Sequence, residues 1–131
     1  AQLKQYGDVL FHKSHIKFYL AGDVGELTDV NLPMEWRKEL LLLFYEAMNN
    51  TAKHAAGCTT AILSTNVHDD MLEMCLLDDG NGFAEGNGGR QNGLPHMRGR
   101  AAKLHGELHI QSGEEKGTKI CFIGKLASRT V

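Results

Sequence analysis

The chain has 131 residues, enough for one domain with a hydrophobic core and too few for two of ordinary size. Its 42% hydrophobic and 23% charged residues exclude a disordered chain, and its longest apolar run, Leu40 to Tyr45, is far short of the roughly 20 residues that span a bilayer. A net charge of −2 with scattered basic residues argues against a nucleic-acid partner, and the odd set Cys58, Cys75 and Cys121, without a C-x-x-C pair, predicts reduced thiols in a cytoplasmic domain that makes no membrane contact.

In chain order, Leu3, Tyr6, Leu10 and Phe11 have the spacing of a short amphipathic helix within residues 1–15, either a helix of the domain or the end of a linker. Ile16 to Leu20 reads as a strand, and a polar connection follows to Leu32. Pro33 suits a helix start, and the chain runs from Met34 to Ala56 without a breaker until Gly57. Thr59–Val67 and Met71–Leu77 form a predicted hairpin about His68-Asp69-Asp70. The glycine-rich stretch from Gly80 to Gly93 is too poor in apolar residues to bury itself and predicts a loop. Leu94, Met97, Ala101 and Leu104 lie on one face of a further helix ended by Gly106, and a second hairpin follows, from Glu107 to Gln111 and Lys119 to Leu126. Residues 127–131 form a tail. This order predicts an α/β two-layer sandwich, residues 16–126, with a mostly antiparallel mixed sheet covered on one face by about three helices.

Three constellations carry chemistry. On the long helix Glu46, Asn50, Lys53 and His54 share one face, and carboxylate or carbonyl groups one turn apart can hold a hard cation such as Mg²⁺ beside a phosphate. The run Asp78-Asp79-Gly80-Asn81-Gly82-Phe83 follows a buried strand. There a carboxylate can accept a hydrogen bond from a ligand amino group, and bare glycine backbone admits a planar ring. Asn92-Gly93-Leu94-Pro95 feeds a helix N-terminus, whose free N–H groups can hold phosphate oxygens. Taken alone, the first also reads as a solvated helix face, the second reads first as a tight turn, and the third as a plain glycine-rich connection. Their order in one chain is the informative feature.

That ordered set resembles the Bergerat ATP-binding fold shared by histidine kinases and gyrase-type ATPases. Glu46-Ala47-Met48-Asn49-Asn50-Thr51-Ala52-Lys53-His54 resembles the N box, Asp78 to Phe83 the first glycine box, and Gly117-Thr118 the closing G-T. Gly93 to Ala101 resembles the second glycine box of two-component sensor kinases related to the nitrate and nitrite sensors. The resemblance implies that Asn50 binds Mg²⁺ and Lys53 lies near the phosphates of ATP. It further implies that His54 borders the adenine, Asp78 reads its amino group with support from Thr118, and Gly80, Gly82, Gly93 and Leu94 line the nucleotide. Glu46 falls where relatives keep a catalytic base or orient a nucleophile. Gln91 and Glu115 stand where relatives often have glycine, and His105 replaces the first of two glycines before a strand. Arg98 and Arg100 could meet phosphate or a partner domain.

The activity so implied is transfer of the γ-phosphate of Mg·ATP to a histidine on a dimerising helical hairpin that precedes the domain in the parent protein, with a response regulator downstream. His68-Asp69 imitates the acceptor sequence, but it falls in a predicted turn and is rejected for that role. Two other functions fit the same fold: an anti-sigma-type serine kinase, and a nucleotide-sensing module that transfers nothing. The signal and the parent's membrane topology lie outside this sequence.

Overall fold

The computed structural model describes residues 2–23, 31–54, 57–80, 94–113 and 117–126. Helix α1 (Gln2–Lys13) leads to strand β1 (Lys17–Ala21), and α2 (Met34–His54) crosses to the hairpin β2 (Thr60–His68) and β3 (Met71–Asp78). Helix α3 (Leu94–Lys103) precedes the second hairpin, β4 (Glu107–Gly113) and β5 (Gly117–Lys125). The five strands form one sheet in the order β1-β2-β3-β5-β4. Only the β1–β2 pair is parallel, as the α2 crossover between them requires. The two-layer α/β architecture expected from the element order is therefore the one observed.

Strand alternation decides which side chains meet the helices. Phe18 of β1, Ala61 and Leu63 of β2, Leu72, Met74 and Leu76 of β3, and Ile120 and Phe122 of β5 are buried, and so are Leu40, Leu43, Phe44, Ala47 and Met48 of α2. These groups make one continuous core with Leu3 and Phe11 of α1 and Met97 and Ala101 of α3. Trp36 meets Phe122 edge-on at 5.7 Å between ring centroids. The core is thus the apolar stripe of α2 laid on one face of the sheet, and full burial of each large side chain contributes on the order of 1.5–3 kcal/mol.

The turns explain several local features of the sequence. Asp69 and Asp70 both have positive φ, 49° and 68°, as a two-residue hairpin turn of the primed type needs. His68 therefore ends a strand and lies on no helix. At the end of α3, His105 takes φ 57°; its N–H donates to Ala102 O and that of Gly106 to Ala101 O. Helix α1 closes the same way, with His15 at φ 58° and the Ile16 N–H on Phe11 O. In both helices histidine fills the left-handed position that glycine usually takes, so the His105 departure is absorbed by an ordinary helix cap.

The cysteine expectation is overturned. Cys75 and Cys121 are joined in a disulfide on the helix-free face of the sheet, and only Cys58 is free. Their 46-residue separation hides the pairing in the sequence, whereas the β3–β5 register sets the two residues directly opposite. The cysteines therefore supply no argument for a reducing compartment. No helix among the described residues is long and apolar enough to cross a membrane.

Candidate functional site

The site forms where four strand ends and the last turn of α2 converge. Asp78 closes β3 opposite Ala61 on one side and Thr118 on the other, and Thr118 faces Ser112 across β4–β5. Because Asp78 keeps the alternation of Leu72, Met74 and Leu76, its carboxylate points to the helix side of the sheet, where it is 8% exposed. Thr51 Oγ1 of α2 donates to Asp78 Oδ2 at 3.2 Å, and the Gly80 N–H donates to Oδ1 at 3.1 Å. Thr118 is 3% exposed, with its hydroxyl 3.0 Å from that of Ser112. The arrangement is a fixed acceptor flanked by hydroxyls, able to read a donor on a planar ligand.

Two neighbours hold this corner in shape. Gly117, at φ 77°, brings the start of β5 so near that a Cβ there would lie 2.0 Å from the Asp78 carbonyl oxygen. Asp79 turns the other way and binds the start of β2, accepting the Thr59 and Thr60 N–H groups at 2.7 and 2.9 Å and the Thr59 hydroxyl. Desolvation works to raise the Asp79 carboxyl, but hydrogen bonds from the Thr59 hydroxyl, the two N–H groups and the Cys58 thiol outweigh it and bring it down to about 2. Cys58 is pushed up to about 11 by burial and then by the negative charge of Asp78, which leaves it an unreactive thiol at neutral pH.

Helix α2 divides its polar residues between two roles. Asn49 Nδ2 donates to the Tyr6 hydroxyl and, at 2.9 Å, to Tyr45 O, so it ties α1 to α2. The Asn50 Nδ2 atom is buried with no hydrogen-bond partner among the described residues. An orphaned buried amide costs on the order of 1–3 kcal/mol, a penalty that a ligand group can relieve. Glu46, one turn back, is half-buried, and Lys53 is exposed.

Beside this corner lies a cavity of about 480 Å³, lined among the described residues by Leu77, Asp78, Gln111, Ser112, Gly117 and Thr118 with Lys119. It touches the Asp78–Thr118 pair but not Glu46, Asn50 or Lys53, so it accounts for only part of the expected nucleotide site. Among the described residues no cluster of three or more His, Cys, Asp or Glu could hold a metal ion.

Of the residues singled out in the sequence, Asp78, Gly80 and Thr118 come together at one corner, with Asn50 on the helix bonded to it through Thr51. Leu94 opens α3 and is half-buried. Gly82 and Gly93, the His54 side chain, and the departures Gln91 and Glu115 lie outside the described residues. The arginines of α3 serve the fold: Arg100 Nη1 donates to Glu39 Oε1 at 2.7 Å, and Arg98 Nη1 to Leu108 O at 3.3 Å. Sequence reasoning missed Asp79, Ser112 and Glu39. For Asp79 the signal was available, since Asp beside a strand end often accepts from nearby backbone N–H groups; the other two depend on tertiary neighbours.

No family model matches the chain. It is 33% identical over 98 residues to the sensor protein VraS of Staphylococcus aureus and 32% identical over 98 residues to that of Staphylococcus epidermidis. In each case the match covers 74% of this chain and 28% of the relative. Among solved structures, the blue-light activated histidine kinase of Erythrobacter litoralis superimposes with a TM-score of 0.74 at 23% identity, over 98% of this chain and 45% of that one. The Acinetobacter baumannii histidine kinase AdeS gives 0.70 at 14% identity, over 96% and 61%. The fold is that of these histidine kinase structures, and the sequence similarity is to sensor proteins of which this chain spans little more than a quarter.

Proposed function

We propose that this chain binds Mg·ATP and presents its γ-phosphate to a histidine on a separate helical hairpin, as the catalytic domain of a two-component sensor kinase. The observation that carries the proposal is the corner itself: a buried Asp78 carboxylate bonded by Thr51 and the Gly80 N–H and flanked by Thr118, on the side of the sheet where the Asn50 amide has no partner among the described residues. A carboxylate so held accepts from an adenine amino group without reorganising, and Gly80 leaves room for the ring. The run from Gly93 to Ala101 supports a subfamily related to the nitrate and nitrite sensors.

The donor set fits magnesium. Mg²⁺ keeps most of its water and takes one or two protein oxygens together with substrate phosphates, so an Asn50 carbonyl near the Glu46 carboxylate suffices without a carboxylate cage. When bound, the ion would neutralise phosphate charge. Asn50 would hold it, exposed Lys53 would approach the phosphates, and Glu46 would orient the incoming nucleophile. The chain contributes chiefly positioning. Its partners would be the histidine-bearing dimerisation domain of the parent protein and, downstream, a response regulator.

Isothermal calorimetry with a non-hydrolysable ATP analogue, with and without Mg²⁺, tests the binding half. Asp78→Asn exchanges a pure acceptor for a group that can present a donor, and should weaken adenine nucleotide by about 1–3 kcal/mol. Asn50→Ala should weaken the magnesium complex more than the free nucleotide. No binding by the wild-type chain would overturn the reading. For the transfer half, γ-labelled ATP should leave this chain unlabelled and label an added cognate hairpin in proportion to its concentration. Label on a serine of a partner would favour the anti-sigma type of kinase, and binding without any transfer the sensing module.

A further inference from the structure

Glu39 is a carboxylate on the first turns of α2, yet it is only 6% exposed. Arg100 of α3 meets its Oε1 at 2.7 Å and Lys103 its Oε2 at 3.6 Å. The Arg100 hydrogen bond, helped by the positive charge of Lys103, lowers the Glu39 carboxyl below the ordinary range despite burial. In sequence Glu39 stands seven, eleven and fourteen residues before Glu46, Asn50 and Lys53, and so shares their helix face. One stripe of α2 therefore carries both the clamp on α3 and the residues assigned to the phosphates and the metal.

Chain topology gives the direction of the two helices. The start of β2, reached from α2 through Gly57, pairs with Asp78, and Thr51 bonds that same residue. The carboxyl end of α2 is therefore at the Asp78 corner and Glu39 is remote from it. Helix α3 runs into β4, whose first residue Glu107 pairs with Ile123, itself opposite Glu73 at the far end of β3. The carboxyl end of α3 thus lies far from the corner, beside Glu39, and its first residue Leu94 is directed toward the corner. With a rise of about 1.5 Å per residue, Leu94 lies about 9 Å beyond Arg100, level with about two turns of α2 past Glu39.

On α3 Met97 and Ala101 are buried, and half-buried Leu94 and the following Leu104 also pack on the core, but apolar contact is non-directional and sets a helix's slide and rotation less sharply than a hydrogen bond does. A short, charge-assisted hydrogen bond to a buried carboxylate is directional. We propose that the Glu39–Arg100 pair is a positioning device for the phosphate half of the nucleotide: it sets α3 against α2 so that Leu94 and its N–H groups face the Asn50–Lys53 stripe. Neither residue touches the nucleotide. Asp78 reads the adenine from the sheet and does not depend on this pair, so the two halves of the ligand separate experimentally. The inference rests on the Mg·ATP reading above.

The test compares Mg·ATP, by calorimetry, with adenosine, by NMR titration, in the wild-type chain and in Glu39→Gln, Arg100→Met and Arg100→Lys. Misdirecting a helix N-terminus from a phosphate forfeits roughly a fivefold to tenfold affinity. Glu39→Gln and Arg100→Met should lose that factor for Mg·ATP while adenosine stays within about twofold, and Arg100→Lys should recover most of the loss. Parallel losses for both ligands, or no loss for Mg·ATP in folded variants, would overturn the inference and leave the pair a plain structural contact. Should Arg100→Met fail to fold, Glu39→Gln and Arg100→Lys, which keep a hydrogen-bonding partner on each side, carry the comparison alone. A wild-type chain that binds adenosine but not Mg·ATP also overturns it, whereas one that binds neither sinks the nucleotide reading itself.

Discussion

Gly117→Ala should damage the domain and its site together. The glycine sits at φ 77°, where an L side chain costs about 1–2 kcal/mol. Its added Cβ would stand 2.0 Å from the Asp78 carbonyl oxygen, 3.1 Å from the carbonyl carbon and 3.2 Å from Asp79 Cα. All three are backbone atoms, so no side chain can swing away. Relief requires the start of β5 to withdraw from the end of β3 by about 1 Å, and overpacking of that kind costs about 1–3 kcal/mol. The sum, about 2–5 kcal/mol, corresponds to a melting-temperature loss of about 7–18 °C in a domain of this size. Because Thr118 is the next residue and pairs with Asp78, adenine-nucleotide affinity should fall in whatever fraction remains folded. Thermal melts by circular dichroism and calorimetry with the ATP analogue read the two effects. A variant that melts within about 2 °C of wild type and binds with unchanged affinity would show that the close approach at Gly117 is not required.

Three further outcomes follow from the same structure. Gly99→Ala, in α3, meets nothing within 4 Å of the new Cβ, and should raise stability by about 0.5–1 kcal/mol, seen as a higher urea midpoint. The folded-state carboxyl of Asp79 lies below its ordinary 3.8, at about 2, so its contribution is present above about pH 4 and is lost as the pH falls toward 2. Asp79 is exposed, and solvent screening reduces that contribution to about 1 kcal/mol; Asp79→Asn should flatten this part of the stability profile measured by urea titration. Reduction of Cys75–Cys121 should lower the denaturant midpoint by an amount worth about 2–4 kcal/mol, and a midpoint indifferent to reductant would show that the bridge contributes nothing to stability.

The sequence by itself determined the secondary structure and the architecture. A 21-residue helix with its apolar stripe, two hairpins marked by polar turns, and a helix after a glycine-rich run leave few arrangements, because each element has one face to bury and the hairpin turns fix which strands are neighbours. It also singled out Asp78 and Thr118, since a strand-end carboxylate and a late G-T are local patterns. Tertiary structure decided what depends on register and on distant partners. The β3–β5 alignment set Asp78 against Thr118 and joined Cys75 to Cys121, a pairing that the odd cysteine count had argued against. Helix packing separated two adjacent asparagines, giving Asn49 to Tyr6 and leaving the Asn50 amide without a partner among the described residues. It also turned Arg100 from a candidate phosphate contact into the partner of a buried Glu39. Propensity and periodicity are properties of a few neighbouring residues, whereas a hydrogen bond or disulfide between residues 27, 46 or 61 positions apart exists only once the strands have paired and the helices have docked.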